Sequence, residues 1–178
     1  MKLKVLFVAV LIMASCAKNK KQESGTETTK EVETTKEKET PLEVYDFNGF
    51  EKFLNQKDDK IHVVNFWATW CAPCVKELPY FEQLNDTYKD ENVEVLLVSL
   101  DFPHMYDSKL KPFIKDRKLK SKVVALDDPD MNTWIPKVNE AWSGSIPATV
   151  IYNKNKSVFF EQSFTFDELE KEVKQFLN

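Results

Sequence analysis

Glycine is scarce in this chain, with three residues in 178. A glycine-rich loop of the kind that cradles phosphate groups cannot be assembled from so few. Histidine occurs only twice, at His62 and His104, and cysteine three times, at Cys16, Cys71 and Cys74. Structural zinc takes four ligands, and these residues do not supply two spaced pairs. An excess of positive charge is also missing. Lys and Arg number 25 against 29 Asp and Glu, a net charge of −4, so there is no basic footprint for nucleic acid. Finally, the apolar run Val5 to Met13 falls well short of the roughly 20 residues a membrane-spanning helix needs.

What is present is enough for one domain with appendages. Hydrophobic residues make up 42% of the chain and aromatic residues 12%, sufficient for a core. The pattern along the chain is strand and helix in alternation. Ile61–Ala68 and Val93–Leu100 are apolar, β-branched runs that read as buried strands. Lys122–Leu126, Ala148–Tyr152 and Ser157–Glu161 read as shorter strands, the last two joined by the turn Asn153–Lys156. Helices are predicted over Asn48–Asn55, from Cys71 or Ala72 to Tyr88, over Asp107–Arg117, and over Thr165–Leu177. Thr165 and Glu168 form a capping box for the last of these. Met131–Trp142 reads as an irregular helical insert, and Asp127–Asp130 as a turn and helix cap rather than a calcium loop.

The chemistry concentrates where the first long strand ends. Trp70-Cys71-Ala72-Pro73-Cys74 lies between that strand and a helical pattern. Amide groups at a helix N-terminus carry partial positive charge, which favours a thiolate over a thiol at Cys71. Cys74 stands within reach to close a disulfide with it. Pro73 is tolerated in a first turn that has no intrahelical N–H bond to lose. Trp67 and Trp70 flank the site as core filling, at least one of them also shaping a contact surface. His104, in the loop after the second strand, reads most simply as a solvated side chain.

Asn65-Phe66-Trp67-Ala68-Thr69-Trp70-Cys71-Ala72-Pro73-Cys74 resembles the active-site segment of the thioredoxin superfamily, most of all the extracytoplasmic thiol–disulfide oxidoreductases of the TlpA/ResA type. The resemblance runs from about residue 41 to the end. It implies an α/β, thioredoxin-like three-layer sandwich with a central mixed sheet, an N-terminal extension and an insert before a cis-proline loop. That loop is Ser143–Val150, where Ile146 would offer backbone hydrogen bonds to an extended substrate and Pro147 would be the cis residue. Pro79, five residues after Cys74, adds to the match. Catalysis would rest on Cys71 and Cys74, with Glu77 handling protons and Trp70 contacting substrate. Asn65 departs from the buried aspartate of cytoplasmic thioredoxins, so carboxylate help would have to come from Glu77. The bland alternative for Glu77 is a solvated helix glutamate.

The N-terminus completes the expectation. Lys2, Lys4 and the apolar run resemble an export signal over residues 1–15, and Leu11–Cys16 resembles a bacterial lipobox with Cys16 lipidated. A diacylated cysteine provides the two chains that stable anchoring needs and withdraws the odd thiol from redox chemistry. Residues 16–40 are Lys-, Glu- and Thr-rich and read as a disordered tether, and 41–178 as the domain. The expected location is therefore outside the cytoplasm, anchored to a bacterial membrane and facing the periplasm. Expected partners are disulfide-containing exported proteins, apocytochrome c among those the resemblance implies, an upstream membrane electron donor, and the lipid bilayer, with no nucleic acid. No cofactor is called for beyond the Cys71–Cys74 pair, and no metal. The alternatives are the same pair run as a thiol oxidase, a peroxidase, for which the sequence shows no convincing peroxide-activating Thr/Arg pattern, and, from another class, a non-catalytic carrier holding Cu(I) through its thiols.

Overall fold

In the computed structural model, which describes residues 41–177, the elements run β1 (Glu43–Tyr45), α1 (Phe47–Phe50), β2 (Ile61–Trp67), α2 (Ala72–Tyr88), β3 (Val93–Ser99), α3 (Lys111–Arg117), β4 (Lys122–Leu126), α4 (Met131–Val138), β5 (Ala148–Tyr152), β6 (Ser157–Phe160) and α5 (Phe166–Lys174). One six-stranded sheet forms in the order β1-β4-β3-β2-β5-β6. β1, β4, β3 and β2 are parallel, whereas β5 and β6 are antiparallel to their neighbours. The fold is the mixed-sheet, three-layer arrangement expected from the sequence.

Chain direction decides which face each helix covers. Parallel crossovers are right-handed, so connections that step one way across a sheet lie on one face and those that step back lie on the other. α2 and α3 carry the chain from β2 to β3 to β4. With α5 they cover the face that presents Val63, Trp67, Val95 and Leu97, and Leu78, Phe81, Leu84, Leu169 and Val173 pack there. α1 and α4 lie on the opposite face, where Phe47, Phe50, Trp134 and Trp142 meet Val64, Phe66, Val98 and Val124. All seven residues of β2 are buried because both of its faces are covered.

Several local differences from the sequence reading have simple causes. α1 begins a residue early because Asp46 caps it, accepting a hydrogen bond from the Gly49 amide at 2.8 Å; a 3-10 turn, Glu51–Leu54, follows it. The single helix predicted over Asp107–Arg117 is two pieces, a π-helical turn Tyr106–Leu110 and then α3. Pro112 has no N–H to give, so the ladder widens just before it and the Lys111 amide reaches back to the Tyr106 carbonyl. With glycine so scarce, Asn92 and Lys118 take left-handed turns (φ 59° and 53°) that glycine usually occupies, Lys118 closing α3. In the Asp127–Asp130 turn, Asp128 accepts from the amides of Phe47 and Asp130, at 3.1 and 2.9 Å, joining α1 to the start of α4. Among the described residues no helix is long and apolar enough to cross a membrane. The export signal, the lipobox cysteine Cys16 and the tether lie outside the described residues.

α5 is shorter than expected, ending at Lys174, but its start is as expected. Thr165 Oγ1 accepts from the Glu168 amide at 3.4 Å, and the Thr165 amide donates to Glu168 Oε2 at 2.8 Å. A cap of this kind is worth about 1 kcal/mol. Thr165→Ala is expected to lower the midpoint of thermal unfolding by about 2–5 °C, with Thr165→Ser keeping most of the loss away. Equal midpoints for Thr165→Ala and wild type in calorimetry would show that the box contributes nothing.

Candidate active site

The end of β2 and the start of α2 place the cysteines. Cys71 is the N-cap of α2, its backbone extended at φ −91° and ψ 98°. Its sulfur accepts from the Cys74 amide at 3.3 Å, so one of the unpaired N–H groups of the first turn points at sulfur. The two cysteines form a disulfide. Cys74 is fully buried, and Cys71 retains only 6% of its surface. Cys71 is thus the only one of the two sulfur-bearing residues with an edge towards solvent.

The second strand of contact comes from far along the chain. The Ile146–Pro147 peptide bond is cis, as the resemblance implied. The Ile146 carbonyl oxygen lies 3.7 Å from Cys71 Sγ. Two features hold this loop from behind. Trp142 Nε1 donates to the Ser145 carbonyl at 2.8 Å. The Glu161 carboxylate accepts from the amides of Ser143 and Ser145, each at 3.0 Å, and from the Ser143 hydroxyl. These bonds, the Ser143 hydroxyl foremost, hold the Glu161 carboxyl below its ordinary range. Gly144, at φ +93°, makes the turn between the two serines that a side chain would strain.

Glu77 is not the solvated glutamate of the bland alternative. It is buried, with 1% of its surface exposed. Oε1 accepts from Asn65 Nδ2 at 3.0 Å, and Oε2 accepts from the Phe164 amide at 2.8 Å. Asn65 also donates to Thr149 Oγ1 at 3.1 Å. Residues from β2, α2, β5 and the approach to α5 therefore converge on one carboxyl group. Burial pushes its pKa up to about 7, against the Phe164 and Asn65 hydrogen bonds that favour the charged form. A carboxyl that titrates near neutrality can exchange a proton at working pH, which an ordinary surface glutamate cannot.

Asp101 was missed in the sequence, where it reads as a loop residue. It is buried and accepts from the Thr69 amide at 3.0 Å, from Thr69 Oγ1 at 2.5 Å and from Ser99 Oγ at 2.8 Å. The signal lies in strand register. β2 and β3 pair Trp67 with Ser99, so two residues further on Thr69 falls opposite Asp101. Trp67 is fully buried in the core, whereas Trp70 is 52% exposed. His104 is exposed, as expected, but stacks on Phe102. Among the described residues no group of three His, Cys, Asp or Glu side chains converges as a metal site would.

The pKa of Glu77 sets a pH dependence whose sign follows from linkage. Its folded value, about 7, lies above the ordinary 4.5, so the folded state holds a proton that the unfolded state releases. The stability conferred by the protonated form is complete below about pH 4.5 and is lost as pH rises through about 7. The oxidised protein should therefore lose about 3 kcal/mol through this group between those limits. Glu77→Gln should lose none of it. Denaturant unfolding of both proteins at pH 5 and pH 8 measures the difference, and parallel pH profiles would contradict the assignment.

Comparison with known proteins places this geometry in a family. Residues 31–160 match the model of the AhpC/TSA family. The chain is 32% identical over 132 residues to the thiol-disulfide oxidoreductase ResA of Bacillus thuringiensis subsp. konkukian, a match covering 67% of this chain and 68% of that protein. It is 36% identical over 107 residues to ResA of Bacillus cereus, covering 60% of this chain and 54% of the relative. Among solved structures it is similar in fold to StoA from Bacillus subtilis, with a TM-score of 0.53 and 23% identity over 67% of this chain and 86% of that one. With a strand-fed Cys-x-x-Cys disulfide, a facing cis-proline and these relatives, the chain belongs to the AhpC/TSA family, among its thioredoxin-like thiol–disulfide oxidoreductases.

Proposed function

We propose that this chain reduces the disulfides of exported proteins, held at a bacterial membrane by lipid on Cys16 with its domain in the periplasm. The observation that carries the reading is a Cys71–Cys74 disulfide at a helix N-terminus, with a buried carboxyl that titrates near 7 one helical turn further on. The likeness to proteins named thiol-disulfide oxidoreductase supports it.

In the working direction the pair begins reduced. Cys71, the more accessible residue, is the nucleophile, its thiolate favoured by the Cys74 amide and the first-turn dipoles. It attacks one sulfur of a substrate disulfide. The substrate S–S bond breaks, a Cys71–substrate disulfide forms, and the other substrate sulfur leaves as thiolate. Glu77, ionised at this stage, takes the proton of Cys74. The Cys74 thiolate attacks Cys71, the intramolecular disulfide closes, and the second substrate thiolate leaves. Two electrons pass from the pair to the substrate. Asn65 cannot accept a proton, so it orients the Glu77 carboxylate rather than replacing it. The Ile146 backbone, Pro147 and Trp70 line the position of the substrate chain. The pair itself carries the electrons, and an upstream membrane donor restores it. Apocytochrome c is one substrate of the right class.

The order of attack is tested by removing the resolving sulfur. Cys74→Ser should accumulate a covalent, dithiothreitol-sensitive adduct through Cys71 when mixed with a disulfide-containing exported protein, and Cys71→Ser should not. Adducts that form through Cys74 in Cys71→Ser and never through Cys71 would reverse the roles.

A further inference from the structure

Two large apolar side chains stand half out of the surface immediately beside the disulfide. Trp70 is 52% exposed and Phe102 56%. Their rings stack, 6.3 Å between centroids and 17° between planes, and His104 continues the stack on Phe102 at 5.8 Å and 7°. Three rings from two loops thus form one aromatic ledge. Exposed apolar side chains are ordinary when scattered singly, but a stacked pair at a reactive centre is not scattered.

The ledge is built, and not a chance meeting of two flexible loops. β2 and β3 pair residue by residue up to Trp67 and Ser99. Beyond the strand ends the same register sets Thr69 against Asp101 and Trp70 against Phe102. The buried Asp101 carboxylate fixes that register by accepting from both the amide and the hydroxyl of Thr69. Each residue of this lock is the immediate chain neighbour of a ledge ring. The Leu100 amide adds a bond to the Trp67 carbonyl at 2.8 Å. A surface held this way loses little freedom when something binds to it.

Resting on the reductase reading above, we infer that Phe102, stacked on Trp70 and continued by His104, is a specificity-determining contact that receives an aromatic or large apolar side chain flanking the cysteine of a polypeptide substrate. Chain continuity identifies the occupant. Trp70 is bonded to Cys71, so any polypeptide in disulfide linkage with Cys71 must pass within side-chain reach of the Trp70 ring and of its neighbour. Flat rings with exposed faces recognise rings by offset stacking, and apolar side chains by burial. A small disulfide without flanking residues has nothing to place there. Selection at Phe102 therefore acts on binding, and the chemistry at sulfur is unchanged.

The experiment compares three disulfides as oxidants of the pre-reduced full chain, followed by its tryptophan fluorescence. They are hydroxyethyl disulfide, a cystine-linked peptide with phenylalanine beside the cysteine, and the same peptide with serine there. Wild type is expected to react about three- to tenfold faster with the phenylalanine peptide than with the serine peptide. Phe102→Ser should abolish that preference and leave the rates with hydroxyethyl disulfide and the serine peptide unchanged. Phe102→Trp should keep it. Equal wild-type rates for the two peptides, or a preference that survives Phe102→Ser, would overturn the ledge alone. So would an equal slowing of all three reactions in Phe102→Ser, which marks a structural effect. Wild-type self-association that Phe102→Ser abolishes, with peptide rates unmoved, would assign the ledge to a second copy and overturn the inference. Reduced wild type inert towards all three disulfides would instead remove the reductase reading, and the ledge with it.

Discussion

Everything at this site depends on one buried carboxyl group that the fold cannot leave unpartnered. Glu77 sits on the face of α2 that packs against the sheet, where a charged side chain is costly unless it is hydrogen-bonded. Its two oxygens are met by the Asn65 side chain from β2 and the Phe164 amide from the approach to α5. Asn65 is in turn joined to Thr149 in β5. The result is a polar cross-link through the core that aligns the reactive strand, the reactive helix and the strand following Pro147. The incomplete compensation for burial leaves the carboxyl titrating near 7. The same interaction therefore aligns the site and, in the function proposed above, would supply its proton acceptor.

Around this cross-link the remaining contacts serve position. The α2 N-terminus offers the Cys74 amide to Cys71. Glu161 and Trp142 hold the Ser143–Ser145 segment, and hence Ile146, against the sulfur. Asp101 fastens the turn that carries Trp70. Each is a polar bond outside the strands, where the sheet no longer dictates the chain path. β2, buried along its whole length, provides the fixed frame for all three.

Much of this was legible in the sequence, and the exceptions share a cause. β4 and β5 appear with the expected ends because β-branched runs and polar turns mark them. The cysteine pair, the helix that follows it and the cis-proline loop were recognisable from their residues. The environment of Glu77 was less plain, yet helical phase carries it. Cys74, Leu78, Phe81 and Leu84 are buried at spacings of three and four, and Glu77 falls on the same stripe. Asp101 and the Trp70–Phe102 stack were not legible, because each depends on which residues of β2 and β3 lie opposite one another. Register is set by long-range pairing and has no local signature. The π-helical turn before α3 arises where Pro112 interrupts the ladder, and the sequence marks that residue without saying how the chain accommodates it.

The most direct test of the central claim is the reduction potential of the Cys71–Cys74 pair, measured by equilibrating the protein against defined ratios of reduced and oxidised dithiothreitol or glutathione. A thiol reductant of exported disulfides should lie near thioredoxin's value, about −270 mV. A value near about −120 mV, the range of a strong thiol oxidant, would contradict the reductase account. The same cysteines, carboxyl group and proline loop would then work in the oxidising direction.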